Sequence, residues 1–220
     1  RRRTIKSYVL RQGRLTRGQQ QALEKLWPVY GIDFKAELLD LDTLFKRSAP
    51  IVLEVGFGNG DSLFQQAVSN PNNSYIGIEV HRPGVGHLLH LAGDAGITNL
   101  RVINHDAVEV LQLQIPDHSL DCVQLFFPDP WHKKRHHKRR IVKAEFIRLV
   151  CQKLKPGGLF HLATDWQDYA EHMLAEMEQA EGFSNIAGKG NYAQNTGRPP
   201  TKFEHRGRRL GHGVWDLLFR

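Results

Sequence analysis

An aspartate in this chain stands between two prolines, directly after an apolar run. Residues 122–127 read as a buried strand, Pro128 and Pro130 fix their own φ angles, and Asp129 is left on a stiff turn between them. The prolines also push the residues before them towards extended backbone. A carboxylate held rigidly at a strand end can orient a small polar group. A cationic run follows at once: Lys133, Lys134, Arg135, Lys138, Arg139 and Arg140, with His136 and His137 among them. The next acid is Glu145, so these cations stand too close together to pair with acids. Solvated charge is the plainer reading of such runs; the density of this one favours phosphate binding. His136 and His137 have no metal-like partners, and no metal site is expected. Trp131 suits either base stacking or packing under the loop.

Three further acids sit at strand ends. Glu54 lies inside the end of a strand at 51–55, Glu79 ends one at 75–80, and Asp106 follows one at 101–104. Ligands of open α/β sheets bind outside such carboxyl ends. Gly56, Gly58 and Gly60 follow the first strand and open a helix, where glycine lets backbone approach a ligand or simply makes a tight turn. The dinucleotide fingerprint places its third glycine at the sixth position; here that position is Asp61, which would repel a pyrophosphate. Four carboxylates around one crevice suit a cationic ligand instead. S-adenosylmethionine, with its sulfonium and ammonium, fits: Glu79 for the ribose hydroxyls, Asp106 for the adenine amine, Glu54 for the ammonium end. Asp61 and Asp106 also qualify as helix caps.

The elements that position these residues alternate. Strands are expected at 51–55, 75–80, 101–104, 122–127 and 159–163. Helices are expected at 61–68, from Pro83 to about Gly96, through Phe146 and Val150, and through Trp166, Tyr169, Met173 and Met177. That order implies a mostly parallel sheet with helices on both faces. A capping box at Thr16 and Gln19 starts a helix before Pro28, and a short helix is expected at 34–45. Residues 183–186 and 213–219 read as two final strands, separated by a Gly/Asn/Pro-rich loop at 188–200. One domain at 16–220 follows a flexible basic arm at 1–15.

The chain has 220 residues, a net charge of +7 and a sequence pI of about 9.5, a balance that points to a polyanionic partner. Cys122 and Cys151 lack zinc-like spacing and read as reduced core thiols. No apolar run is long enough for a bilayer and no signal peptide is visible, so a cytoplasmic protein without membrane contact is expected.

Several motifs together resemble the bacterial tRNA (guanine-N7-)-methyltransferases. They are Leu53–Gly58, Gly77–His81, His105–Ala107, Phe126–His132, Ala163–Asp165, Thr201–Glu204 and Leu210–Trp215. The proline-flanked acid and the stretch Thr201, Lys202, Phe203, Glu204 discriminate far better than the glycine loop. The resemblance implies a class I methyltransferase (Rossmann-like) fold with an antiparallel C-terminal strand. It implies methylation of the variable-loop guanine, position 46, of tRNA. It assigns Glu54, Glu79, Asp106 and Asp129 to the methyl-donor site, with Asp129 catalytic. It assigns Lys133, Asp165 and Thr201 to Glu204 to the substrate, and Arg135 to Arg140 to RNA contact. A monomer without an obligate protein partner is expected. Methylation of an exocyclic base amine is disfavoured, because the acid lies between the prolines rather than before them. A non-catalytic RNA-binding module is disfavoured by the intact set of acids.

Overall fold

The computed structural model describes residues 6–8, 13–199 and 213–220. Thr201, Lys202, Phe203 and Glu204, and most of the basic arm, lie outside the described residues. The strands are β1 (Gly31–Ile32), β2 (Ile51–Val55), β3 (Ser74–Ile78), β4 (Leu100–Ile103), β5 (Leu120–Phe126), β6 (Leu154–Thr164) and β7 (Trp215–Phe219). They form one sheet in the order β1-β4-β3-β2-β5-β6-β7. All neighbours are parallel except β6 and β7. The helices are α1 (Arg17–Tyr30), α2 (Leu41–Phe45), α3 (Asp61–Ser69), α4 (Arg82–Ala95), α5 (Ala107–Leu113), α6 (Ala144–Lys153) and α7 (Gln167–Glu178).

Strand alternation divides the core. Leu53, Ile76, Ile103, Val123 and Leu162 face α5, α6 and α7. Val52, Tyr75, Leu100 and Val102 face α1, α3 and α4. Side chains two apart share a face, so Glu54 lies on the α3/α4 side with Val52. From β2 the chain builds β3 and β4 outward, then returns to place β5 on the other side of β2. That reversal opens a crevice at the carboxyl ends of β2, β3 and β5, the switch point where open α/β sheets bind ligands.

Several elements differ from expectation. The capping box at Thr16 and Gln19 is present, but α1 runs through Pro28 to Tyr30. A proline so near the end removes only one of the last helical bonds. The helix expected at 34–45 begins only at Leu41, because the Asp40 carboxylate takes up the Thr43 N–H at 3.0 Å and starts it there. Helix α5 lies in none of the expected helical spans, but Asp106 caps it, the second role its position allowed. Residues 183–186 are no strand: they reach β7 through the Asn185–Phe219 bridge and paired bonds between Ser184 and Arg220. Among the described residues, no helix is long and apolar enough to cross a membrane.

Candidate active site

Strand β5 delivers the proline-flanked acid through a strained turn. Phe127 has φ +51° and Trp131 has φ +51°, so left-handed residues bracket Pro128, Asp129 and Pro130. The expected extended backbone before Pro128 is therefore not adopted. Such conformations cost on the order of 1–3 kcal/mol each and persist only where the surroundings impose them. The surroundings here are specific. The Phe127 N–H donates to the Ala163 carbonyl on β6 at 2.8 Å. The Arg140 Nε donates to the Pro130 carbonyl at 2.9 Å, and the Trp131 indole donates to the Ser7 carbonyl at 3.1 Å.

Asp129 lines a cavity of about 240 Å³ together with Gly56, Gly58, Glu79 and Asp106. A second cavity of about 530 Å³ adjoins it through Tyr8, Val80, His105 and Asp106. Glu79 is fixed by backbone: its Oε2 accepts from the Gly58 N–H at 2.8 Å, and its Oε1 from Val80 and His81 at 2.7 and 2.9 Å. Carboxylate oxygens so held keep lone pairs for a ligand. Asp106 does two jobs. Its Oδ1 accepts from the Val108 N–H at 3.0 Å as the α5 cap, and its Oδ2 lies 3.4 Å from the Lys6 ammonium.

Glu54 sits behind the cavity wall, 3% exposed. Its Oε2 is buried with no hydrogen-bond partner among the described residues. Burial, and then the charge of Glu79, push its carboxyl up to about 8 against the pull of Arg198. A buried orphan oxygen of this kind suits a cationic group arriving with a ligand. Gly56 and Gly58 have φ +70° and +61°, and a Cβ on either would meet open space. Gly60 plays a different part: it caps α3 at φ +81°, and a Cβ there would press on Leu88. These residues fit a ligand of the S-adenosylmethionine type: open glycine backbone, pre-oriented acceptors and an unsatisfied buried acid.

The sequence reading missed two contributors. Lys6, Ser7 and Tyr8 belong to the arm expected to be flexible, yet Ser7 and Tyr8 line the smaller cavity and Tyr8 also lines the larger. Nothing in their residue types announced that. Gly84 lets α4 lie directly on the glycine loop: a Cβ there would fall 1.9 Å from the Gly58 carbonyl oxygen.

The cationic run forms a 3₁₀ helix, Lys134–Arg139. Lys133, Lys134, Arg135 and Lys138 are exposed, while His136, His137 and Arg139 are half-buried. Arg140 departs from expectation. It is 3% exposed, pairs with Asp168 on α7, and lies over the Tyr169 ring at 4.7 Å. Its guanidinium is spent inside the protein, so Arg140 leaves the phosphate-facing set and braces the Asp129 turn instead. The acid that pairs with it comes from another element, which is why the local spacing gave no sign of it. Trp131 resolves as a packing residue, with Arg139 stacked on it at 4.3 Å. Asp165 follows β6 at the same end of the sheet and is half-buried.

Comparison with known proteins follows the same lines. A family model described as "Putative methyltransferase" matches residues 48–217. The tRNA (guanine-N(7)-)-methyltransferase of Aeromonas hydrophila is 62% identical over 219 residues, covering 99% of this chain and 92% of that one. The protein of the same name from Hydrogenovibrio crunogenus is 59% identical over 218 residues, covering 99% and 91%. Among solved structures, the 16S rRNA methyltransferase KamB superposes with a TM-score of 0.59 at 18% identity, covering 83% of this chain and 93% of that one. An antibiotic-related methyltransferase gives a TM-score of 0.59 at 15% identity, covering 85% and 94%. At such identities the structures speak for the fold alone.

Proposed function

The chain belongs to the tRNA (guanine-N(7)-)-methyltransferase family, and from that premise we propose that it methylates N7 of a tRNA guanine, the variable-loop guanine at position 46. S-adenosylmethionine supplies an electrophilic methyl group on a sulfonium. The observation that carries the reading is the placement of Asp129, on its braced turn, in one cavity wall with Glu79 and Asp106.

Guanine N7 presents an in-plane lone pair and carries no proton, so the chain need not remove one. Its work is to align two groups and keep water out. Glu79, held by three backbone N–H groups, accepts from the donor's ribose hydroxyls. Asp106 accepts from the adenine amine, and Glu54 receives the ammonium. Asp129 accepts from the N1–H and N2–H edge of guanine, which turns N7 towards the methyl group. A guanine that has taken the methyl group from the sulfonium on N7 would be cationic, and the Asp129 carboxylate would balance that charge. Asp165 and the stretch Thr201 to Glu204 serve the substrate side by analogy with the family. Lys133, Lys134, Arg135, Lys138 and Arg139 form a ledge for tRNA phosphates, with His136 and His137 beside them. Arg140 is excluded from that ledge by its burial.

The test is transfer of labelled methyl groups to total tRNA, followed by nucleoside analysis. Label in 7-methylguanosine is expected. Label in an exocyclic methylamine, or donor binding without transfer, would contradict the proposal.

A further inference from the structure

On the sheet face that carries Glu54, a second polar cluster lies behind the Asp129 turn. Glu54 on β2 pairs in register with Gln124 on β5, and Gln124 with His161 on β6. The row continues to Asp216 on β7, whose Oδ1 lies 2.7 Å from the His161 Nε2. Arg198 closes it with a two-pronged contact: Nε donates to Asp216 Oδ1 at 3.0 Å, and a terminal nitrogen donates to Oδ2 at 3.1 Å. The guanidinium then lies 5.4 Å from the Phe126 ring centroid and 5.3 Å from that of Phe127. The His161 ring meets Phe126 edge-on at 4.9 Å.

Such a cluster is costly. The Arg198 side chain is 4% exposed, and an ion pair taken from water adds little stability by itself. Burial works to raise the Asp216 carboxyl, but bonds from His161 and Arg198 outweigh it and hold it down at about 2. The guanidinium is therefore locked to a permanent carboxylate, with its direction fixed. It faces the rings that open the Asp129 turn, one of them at the strained Phe127, and its charge pulls on the buried Glu54 at the far end of the same row.

We propose that Arg198 is a positioning residue: clamped by Asp216 and His161, it holds Phe126 and Phe127 from behind and lends positive charge to the row of side chains that ends at Glu54. The first action sets where Asp129 stands. The second keeps Glu54 closer to its charged form before the donor arrives. The inference rests on the roles proposed above for Glu54 and Asp129.

Two variants separate the actions. Arg198→Lys keeps the charge and loses the planar fork and its stacking. Arg198→Gln loses both. In both, methyl transfer at saturating donor and tRNA is expected to fall between about ten- and a hundredfold, the usual cost of a small misplacement. The Michaelis constant for tRNA should stay within a few-fold of wild type. The carboxyl carbon resonance of Glu54 in the unliganded protein, identified by its loss in Glu54→Gln, is read over pH. It should titrate at a higher pH in Arg198→Gln than in wild type, and at the wild-type pH in Arg198→Lys. A merely structural role would leave that resonance in place. Wild-type turnover in both folded variants, or an unmoved resonance in Arg198→Gln, overturns the inference. Loss of folding in both assigns the cluster to stability and overturns it too. Absence of transfer by the wild-type protein itself would instead count against the proposed function.

Discussion

Glu54 gives the sharpest handle on the donor site, because its proton must leave when a cation arrives. Its carboxyl titrates at about 8 in the unliganded fold, against an ordinary value of 4.5. At about 1.4 kcal/mol per pH unit, that difference is of order 5 kcal/mol. The folded value lies above the unfolded one, so this contribution to stability is full below pH 4.5 and is lost as pH rises to about 8. At pH 6.5 the group is almost wholly protonated, whereas beside an ammonium it is held ionised. Donor binding should then release about one proton, and affinity should rise about tenfold per pH unit below the Glu54 value. The window is pH 6 to 7, where the donor's own amine, with an ordinary value of roughly 7.7–8.0, stays charged. Calorimetry in two buffers of different ionisation enthalpy counts the proton directly. Wild type should release about one and Glu54→Gln none. Equal counts in the two proteins would refute the placement of Glu54 at the ammonium end.

Asp129→Asn should lower single-turnover methyl transfer by about a hundredfold or more while tRNA affinity by filter binding barely changes; full turnover would end its assigned role. Lys133→Ala, Arg135→Ala and Lys138→Ala should each reduce the slope of log affinity against log salt by about 1, and unchanged slopes would remove the ledge from the interface. Arg140→Ala should behave differently, leaving the slope alone and costing about 2 kcal/mol in thermal unfolding as the Pro130 carbonyl and Asp168 lose their partner. Gly84→Ala should weaken donor binding by about 1–3 kcal/mol by pushing the Gly58 loop; unaltered affinity in calorimetry would show that the loop yields freely.

The sheet was legible because it rests on local pattern. Six of the seven expected strands appear, all but 183–186, with their ends within a few residues except for β6, which starts at Leu154 rather than 159. The acids at their carboxyl ends could be placed from topology alone, since a switch point follows from strand order. What escaped detection depends on partners distant in sequence. Arg140 read as one more cation because Asp168 lies 28 residues away. Trp131 could not be assigned until Ser7, 124 residues distant, was seen to accept from its indole. The two-residue β1 and the seven-residue α5 are too short for periodicity to reveal. Phe127 followed a competing force: the bond to Ala163 and the packing behind it override the local preference that Pro128 imposes.

The most direct test is a crystal structure with S-adenosylhomocysteine bound. The expected result has its ribose on Glu79, its adenine beside Asp106, its ammonium within hydrogen-bond distance of the Glu54 oxygen that has no partner among the described residues, and its sulfur facing Asp129. A ligand bound elsewhere, or one that fills the cavity and leaves that Glu54 oxygen without a partner, would contradict it.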